Sequence, residues 1–438
     1  MSDWSVGDLE YWDERIMEIG KSYNLDWFPV NYEICDYYDM IGSMVYHGMP
    51  SHYGHWSYGK SFEKTHLYYN SGLTGLPYEL IINSNPSIAY LMKENPLYLQ
   101  ILIMAHCIGH SDFFKNNRIF SQTRPDDAVS RFRSAKKRIQ KYCEDPSIGL
   151  DRVEKMLDSL RAIQFQTNRH GIPRLTHKEK KKNLIEKINQ MPTKERDVVV
   201  KNSINRIPIE PDCDLLAGMI EFGSHLDDWE KDLISIVRDE SLYFIPQIKT
   251  KILNEGWACF WHYKIMNDLN LPQKYHIPFL KSHNQVVRPH IGGINPYHIG
   301  FHLFTKMEKN QGMDECFITR EVHDDESAIR CLLDQEDCED LNLFSYSKKR
   351  KRTSIDDVSD EDGWKNVKND LILNTGMKPI PVVYIDQIKP DKTMILQHEH
   401  DGRDLELNYA EAVVDHIKYL WNRDVKLFTI IEEETWEI

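Results

Sequence analysis

Two histidines four residues apart are the clearest indication of chemistry in the sequence. His106 and His110 lie in the segment AHCIGHSDFF, directly after an apolar run. On an α-helix this spacing places the side chains about 40° apart around the axis and roughly 6 Å apart along it, so both imidazoles can reach one ion. Zinc peptidases use the same spacing on their metal-binding helix. The alternative is a pair of buried histidines bonded to the backbone or to carboxylates, which the spacing alone does not exclude.

A second segment supplies a carboxylate. In LNEGWACFWHYKIM, Glu255 lies in an aromatic and apolar stretch, where a buried carboxylate requires a cation, a proton or a metal ion. We therefore expect Glu255 to be the third ligand beside His106 and His110, with Zn²⁺ or Fe²⁺ as the metal. A buried salt bridge is the alternative for Glu255. His262 lies about 10.5 Å further along the helix and is expected to support a ligand or to contact the substrate.

The general base of a zinc peptidase is missing from its usual place. That glutamate follows the first histidine of the motif, and here the residue is Cys107. A thiol does not shuttle protons at neutral pH as a carboxylate does, so a base must come from another segment. Glu240 and Glu63 are the candidates.

Two further histidine-rich segments are candidates for a ligand site. The glycine-rich stretch HYGHWSYGKSFEK contains His52, His55, Trp56 and Lys60, a combination suited to an anionic or sugar-like ligand. The same side chains could instead pack over the core. The segment HIGGINPYHIGFHLF contains His298, which could form a second wall of the site or belong to a structural turn.

The composition is that of a globular protein and argues against several classes of function. Apolar residues make up 41% and charged residues 28% of the 438 residues, and the formal net charge is −14. This charge argues against a nucleic-acid or anionic-membrane partner. The longest apolar runs are too short to span a bilayer, and no secretory leader is expected. The eight cysteines form no CxxC pair, as expected of reduced thiols in a cytoplasmic protein.

Periodicity predicts an α+β, mainly helical fold. We expect a large helical core over residues 1–307, with a gluzincin-like HxxxH helix and a glutamate helix, followed by a small α/β part. Helices are predicted at Pro86–Lys93 and Pro96–Gly109, each of which opens at a proline. Another is predicted at Leu226–Asp268, kinked or split at Pro246. Residues 165–211 are polar and lysine-rich, which predicts a linker or insertion.

Three further segments are predicted after the helical core. Residues 308–347 show a strand–helix–strand pattern that begins with a strand at Phe317–Val322. Residues 348–365 have the composition of a charged linker. Residues 366–438 alternate strands with one helix, which is typical of a small α/β module.

Together these segments resemble the stage V sporulation protein R (SpoVR) family over almost the whole chain. The segments that carry the resemblance are MPSHYGHWSYGKSFEK, YELIINSNPSIAYLM, AHCIGHSDFFKNN, YFIPQIKTKILNEGWACFWHYKIM, INPYHIGFHLF and HEHDGRDLELNYA. The resemblance implies a cytoplasmic protein that acts in assembly of the spore cortex peptidoglycan. It also implies partners in the sporulation or cell-wall machinery or in a serine-kinase-associated complex. The family pattern, too, lacks a glutamate after the first histidine.

Two hypotheses about function follow. In the first, the protein is a metal-dependent amide hydrolase in which the metal polarises a carbonyl or activates water. In the second, it is a non-catalytic assembly or regulatory factor whose metal site only stabilises the fold. The missing base favours the second hypothesis, and the clustering of histidines in three segments favours the first.

Overall fold

Helices make up most of the structure, a computed structural model that describes residues 3–71, 79–190, 206–290, 293–349 and 352–438. The chain divides into two units, each built from two separate parts of the sequence. Residues 1–134 and 246–379 form the first unit, and residues 135–245 and 380–438 form the second. The predicted α+β, mainly helical class is confirmed. The domain limits predicted at residues 307, 347 and 365 stay predictions.

The first part of the first unit contains the helix with the two histidines. Its elements are α1 (Val6–Ser22), β1 (Val30–Cys35), α2 (Tyr37–Val45), α3 (Trp56–Asn70), β2 (Leu80–Ile82), β3 (Ser87–Met92) and α4 (Leu97–Asn116), followed by a 3-10 turn at Phe120–Thr123. The strands form one sheet in the order β1-β3-β2, with β1 parallel and β2 antiparallel to β3. Four residues separate the end of the central strand from the start of α4.

The helix predicted at Pro86–Lys93 is wrong, because this segment forms the central strand β3. All but one of its side chains are buried. A strand that is covered on both faces has a continuous apolar run, and such a run cannot be told from a buried helix by periodicity. The helix predicted at Pro96–Gly109 is confirmed and continues to Asn116 as α4.

Helices follow through the middle of the chain. They are α5 (Ala128–Glu144), α6 (Leu150–Ala162), α7 (His177–Gln190), α8 (Leu215–Phe222) and α9 (Asp228–Lys249). The predicted insertion at 165–211 thus contains a helix, and its residues 191–205 lie outside the described part of the chain. Pro246 lies inside α9, and the predicted break falls instead at Thr250.

The second part of the first unit is largely helical. Its elements are α10 (Lys251–Asp268), α11 (Gln273–Val286), α12 (Pro296–Gln311), α13 (Met313–Val322), α14 (Asp325–Leu332), α15 (Gln335–Asp340), β4 (Phe344–Lys349), β5 (Arg352–Val358) and α16 (Trp364–Leu373). Strands β4 and β5 pair antiparallel, so the segment predicted as a charged linker at 348–365 contains regular structure.

The strand predicted at Phe317–Val322 is wrong. This segment is the second half of α13, in which Cys316, Thr319 and Arg320 are buried. Their spacing of three and four residues is the helical period, and it places all three on one face. The β-branched residues in the segment favoured a strand, but packing decided the outcome.

The C-terminal part of the second unit alternates strands with one helix, as predicted. It contains β6 (Val383–Ile388), β7 (Met394–His398), α17 (Leu407–Trp421), β8 (Val425–Ile431) and β9 (Glu434–Glu437). The sheet order is β6-β7-β8-β9. Strands β7 and β8 are parallel and are joined through α17. In neither unit is any described helix long and apolar enough to cross a membrane.

Helices α4, α10 and α12 pack with their backbones in close contact. A Cβ atom added at Gly109 of α4 would lie 2.7 Å from the Cα atom of Ala258 in α10. A Cβ atom at Gly256 of α10 would lie 2.3 Å from the Cα atom of Gly300 in α12. Glycine is therefore required where α10 meets α4 and where α10 meets α12, and the core of the first unit is built around these contacts.

We predict that Gly109→Ala destabilises the protein by about 2–3 kcal/mol, because the new methyl group meets backbone atoms that cannot move independently. Gly59→Ala is the matched control, since it also lies in a helix but a Cβ atom there has no neighbour within 4 Å. The control should be neutral or more stable by about 0.5–1 kcal/mol. Urea unfolding measures both, and equal stability of the two variants would contradict the close packing.

Candidate metal centre

Four potential metal ligands converge in the first unit. His106 and His110 lie on α4, Glu255 lies near the start of α10, and Glu79 directly precedes β2. One ligand atom of each residue lies within 4.8 Å of those of the other three. The structure therefore brings together the three residues predicted as ligands and adds Glu79, which the sequence did not indicate.

The distances between these atoms are longer than hydrogen bonds. Glu255 Oε2 lies 3.4 Å from His110 Nε2 and 3.7 Å from His106 Nε2, and Glu79 Oε1 lies 3.6 Å from His106 Nε2. An N–H···O hydrogen bond spans about 2.7–3.2 Å. Ligand atoms about 2.1 Å from a shared tetrahedral ion lie about 3.4 Å from one another. The spacing thus suits ligands around an ion better than direct hydrogen bonds.

Two of the ligand atoms are buried and have no hydrogen-bond partner in the described part of the chain. These atoms are His106 Nε2 and Glu255 Oε2. A buried polar atom without a partner costs about 1–3 kcal/mol. Because both atoms face the same small space, a single cation there would satisfy them together. The donor set of this chain therefore fits a divalent metal ion.

Hydrogen bonds fix the direction in which each imidazole points. His110 Nδ1 lies 2.9 Å from the amide oxygen of Asn254, so Nδ1–H donates to it, and in the neutral ring Nε2 is the acceptor. His106 Nδ1 lies 2.9 Å from His262 Nδ1, and His262 Nε2 lies 2.8 Å from His283 Nδ1. If His106 donates to His262 and His262 donates to His283, His106 Nε2 is also free to accept a metal. His262 thus orients the ring of His106.

Glu255 and the two histidines shift one another's pKa values. Burial alone would raise the pKa of Glu255, but His106 and His110 hold that pKa below its usual range. Burial lowers the pKa of His110, and the Glu255 carboxylate more than offsets this, so that the pKa is raised. Burial holds the pKa of His262 well below its usual value. The ring of His262 is therefore neutral and can both donate and accept.

Cys259, His106 and His262 form a second group whose ligand atoms lie within 4.8 Å of one another. Burial raises the pKa of the Cys259 thiol well above its usual value. A protonated thiol is a poor ligand. The short contact between the two Nδ1 atoms already accounts for both rings, so this group is better explained as support for His106.

A cavity of about 530 Å³ opens beside the candidate ligands. Glu79, His106 and Glu255 form part of its wall, together with His262. Aliphatic, polar and cationic side chains complete the lining, and these include Leu99, Leu102, Lys251, Val286, His290 and Tyr297. The volume is within the range of small-molecule sites, roughly 300–1,000 Å³.

The predicted bases lie elsewhere. Glu63 is exposed on α3, and Glu240 is half-buried on α9 within the second unit. Neither belongs to the described lining of the cavity. Glu79 is the carboxylate that the structure places there instead. It lies outside the histidine helix, in the segment before β2, so no helical spacing could indicate it.

The predicted ligand-binding loop packs around the start of α3. His52 is buried and stacks on Tyr46 with ring centroids 5.7 Å apart. His55 caps α3, where its ring accepts a hydrogen bond from the backbone N–H of Ser57. Trp56 is exposed, and the Lys60 ammonium group lies 5.8 Å from the centre of its ring. None of the four predicted residues belongs to the described lining of the cavity.

His298 lies in the first turns of α12 and is half-buried. Burial lowers its pKa, and His302 and His290 add to this effect. It does not belong to the described lining of the cavity, whereas its helix neighbour Tyr297 does. Other residues of this segment, among them His290 and Asn295, also belong to the lining, and the role predicted for His298 stays a prediction.

A buried ion pair holds the other side of α4. Asp112 Oδ2 accepts hydrogen bonds from Trp257 Nε1 at 2.8 Å and from Arg320 at 3.0 Å, and Oδ1 accepts one from the backbone N–H of Asp26 at 2.8 Å. Burial raises the pKa of Asp112 to about 6, although Arg320 opposes this effect. The contacts join α4 to α10 and α13 and leave the ligand face of α4 free.

Asp325 holds the start of the glutamate helix. Its carboxylate accepts hydrogen bonds from the backbone N–H groups of Ile252 and Leu253, at 2.8 and 2.9 Å. These donors have no partner within the helix, so the side chain of α14 caps α10. Burial raises the pKa of Asp325 to about 8, against the two hydrogen bonds that favour the charged form.

The raised pKa of Asp325 predicts a dependence of stability on pH. The folded state holds its proton more tightly than the unfolded state, whose pKa is near 3.8, so stability falls as pH rises from about 4 to about 8. Relative to Asp325→Asn, the wild type should lose on the order of 1 kcal/mol per pH unit across this window. Urea unfolding at pH 5 and pH 8 measures the loss, with Asp314→Asn as a control in an exposed first helical turn. If the difference in unfolding free energy between the wild type and Asp325→Asn stayed constant with pH, the prediction would be contradicted.

Comparisons with known proteins place the chain in a family. A family model described as "SpoVR like protein" matches residues 3–379, and a second, "SpoVR-like C-terminal domain", matches residues 379–432. The chain is also similar to the uncharacterized protein YcgB of Escherichia coli strain K12, with 31% identity over 97% of this chain and 92% of that protein. No solved structure matches significantly. The chain therefore belongs to the SpoVR family.

Proposed function

We propose that this protein is a metal-dependent hydrolase of amide bonds, with Zn²⁺ or Fe²⁺ held by His106, His110 and Glu255. One observation carries the proposal: two buried ligand atoms, His106 Nε2 and Glu255 Oε2, lie 3.7 Å apart beside a cavity, and neither has a hydrogen-bond partner among the described residues. Two imidazoles and one carboxylate are the ligands of hydrolytic zinc sites and of non-haem iron sites. The donor set therefore does not distinguish the two metals.

When bound, the metal would polarise a carbonyl and lower the pKa of a water molecule. Glu79 is placed to move the proton, since its carboxylate lies at the cavity wall, 3.6 Å from His106 Nε2. It would take a proton from water and return it to the leaving nitrogen. Glu79 thus fills the role of the glutamate that is absent at Cys107.

Tyr297 is placed to stabilise charge on the substrate oxygen. It lies at the cavity wall, and its ring stacks on that of His106 with centroids 6.4 Å apart. Burial raises the pKa of Tyr297, and the charges of Glu255 and Glu79 raise it further. The phenol therefore stays protonated and can donate a hydrogen bond to an oxyanion.

A second candidate function follows from the number of potential ligands. If Glu79 binds the ion as well, four protein ligands complete a closed tetrahedral set, which is typical of structural zinc sites. The protein would then be a non-catalytic assembly or regulatory factor. The cavity beside the ligands favours the hydrolase, because a structural ion requires no access from solvent.

Membership of the SpoVR family supports a role in sporulation, which we extend to assembly of the spore cortex. The substrate amide would then belong to a peptidoglycan precursor or to a protein of that process. Partners would be the sporulation or cell-wall machinery or a serine-kinase-associated complex. A cytoplasmic location is part of the proposal, and the eight unpaired cysteines support it.

The ligand assignment predicts metal content. Wild-type protein should carry about one Zn²⁺ or Fe²⁺ per chain, and His106→Ala and Glu255→Gln should each lose most of it, because each removes one of three ligands. Glu63→Gln is the matched control, since this glutamate is exposed in the same unit. Elemental analysis of the purified variants gives the answer. A wild type without metal, or a Glu255→Gln variant with full metal content, would refute the assignment.

Glu79→Gln separates the two candidate functions. If Glu79 is the base, the variant keeps its metal and its melting temperature, and amide hydrolysis falls by about 10²- to 10⁴-fold. If Glu79 is a structural ligand, the variant loses metal and melts at a lower temperature, as does the wild type with a chelator. Metal content and thermal melting are measured on the same samples. We expect the first result.

A further inference from the structure

The wall of the cavity beside the candidate metal centre includes a lysine in addition to the candidate ligands. Lys251, which is exposed, and Glu255, which is half-buried, both lie at this wall. They are four residues apart on α10, which places them on one face of the helix with Cβ atoms about 6 Å apart. Among the described residues, Lys251 forms no ion pair. Its charge acts on Asp325, but that carboxylate already accepts two backbone hydrogen bonds.

The rest of the wall suits a small ligand with an apolar part. Leu99 and Leu102 of α4 lie on one side, and Val286 and Ile294 contribute further aliphatic surface. His290 adds a second basic side chain, and it too has no ion pair among the described residues. The cavity therefore combines an apolar surface, a lysine and the candidate metal ligands.

An anionic group beside Lys251 is better matched by a carboxylate than by a phosphate. Phosphates bind at helix N-termini through free backbone N–H groups. Here the N–H groups of Ile252 and Leu253 are already occupied by Asp325. The described lining contains one ammonium group, that of Lys251, which suits an anion of one charge.

We propose that the substrate is an amide whose amine side ends in a free carboxylate, and that Lys251 binds this carboxylate. The inference rests on the proposed hydrolase function. In a peptide, the terminal carboxylate lies only about 4 Å beyond the scissile carbonyl, comparable to the spacing of adjacent Cα atoms. A ligand whose carboxylate is held by Lys251 would have its scissile carbonyl within one residue's length of that lysine, and Glu255 lies about one helical turn further along α10.

The reaction would be the hydrolysis of the last amide bond. The oxygen of water bonds to the carbonyl carbon, and the carbon–nitrogen bond breaks. Glu79 takes a proton from the water and passes it to the nitrogen, which leaves as the free amine of the terminal residue. The products are a shortened acid and an amino acid, and no other reactant is needed.

The test uses the full, metal-loaded chain, a pair of cleavable probes and a set of three binding probes. N-acetyl-dialanine is compared with its C-terminal carboxamide by release of amine. The non-hydrolysable 3-phenylpropionate is compared with 3-phenylpropanol and with phenyl phosphate by calorimetry. We expect at least a tenfold preference for the free acid in cleavage, and tighter binding of 3-phenylpropionate than of the other two compounds.

The variants assign this preference to Lys251. Lys251→Met should weaken 3-phenylpropionate binding at least tenfold, leave phenylpropanol binding unchanged and keep the metal content. Lys251→Arg should restore most of the affinity because it restores the charge. Lys281→Met, an exposed lysine of α11 outside the described cavity lining, should behave as wild type.

The outcomes distinguish this inference from the function on which it rests. A protein that holds no metal refutes the proposed function. A metal-loaded protein that cleaves the acid and the carboxamide equally refutes the role of Lys251 and leaves the proposed function standing. The same conclusion follows if the Lys251→Met variant binds 3-phenylpropionate as tightly as the wild type does. Tighter binding of phenyl phosphate than of 3-phenylpropionate overturns the choice of a carboxylate.

Discussion

The site depends on the contact between the backbones of α4 and α10. At Gly109 no side chain separates the helices, and the contact falls between His106 and His110 in sequence. Ala258 is the residue met across the interface, three positions after Glu255. One close approach therefore places an imidazole on either side of the contact within 4 Å of the same carboxylate. A larger residue at position 109 would push both rings away from Glu255 together.

Because the site is buried, every polar group in it requires a specified partner. Helix α4 meets this requirement on two faces. On one face, Asp112 is fully engaged by Trp257, Arg320 and the backbone of Asp26. On the other face, Asn254 and His262 bind the Nδ1 atoms of the two histidines, and only the Nε2 side is left open. The ion pair stabilises the helix packing, and the opposite face is left to hold a cation.

The sequence was sufficient for the local part of this arrangement and insufficient for the rest. The spacing of His106 and His110 and the unusual surroundings of Glu255 follow from helical geometry, which is local. Glu79 could not be found, since it reaches the site only through the folding of the β2 segment. The strand β3 was mistaken for a helix because burial on both faces removes its alternation. In the loop before α3, His55 caps the helix and His52 is buried against Tyr46, and a role of these histidines in ligand binding stays a prediction.

The balance between a structural and a catalytic ion depends on what surrounds the ligands. A closed structural site is best served by apolar neighbours, because these exclude water and strengthen the bonds to the metal. Here the ligands instead form the wall of a cavity that also contains Lys251 and Tyr297. Among the described residues Lys251 forms no ion pair, although two carboxylates share the cavity wall with it, and burial together with these carboxylates keeps the phenol of Tyr297 protonated. Neither group is a metal ligand. Both groups are explained if a substrate enters, since one can bind an anionic end and the other can donate to the carbonyl oxygen.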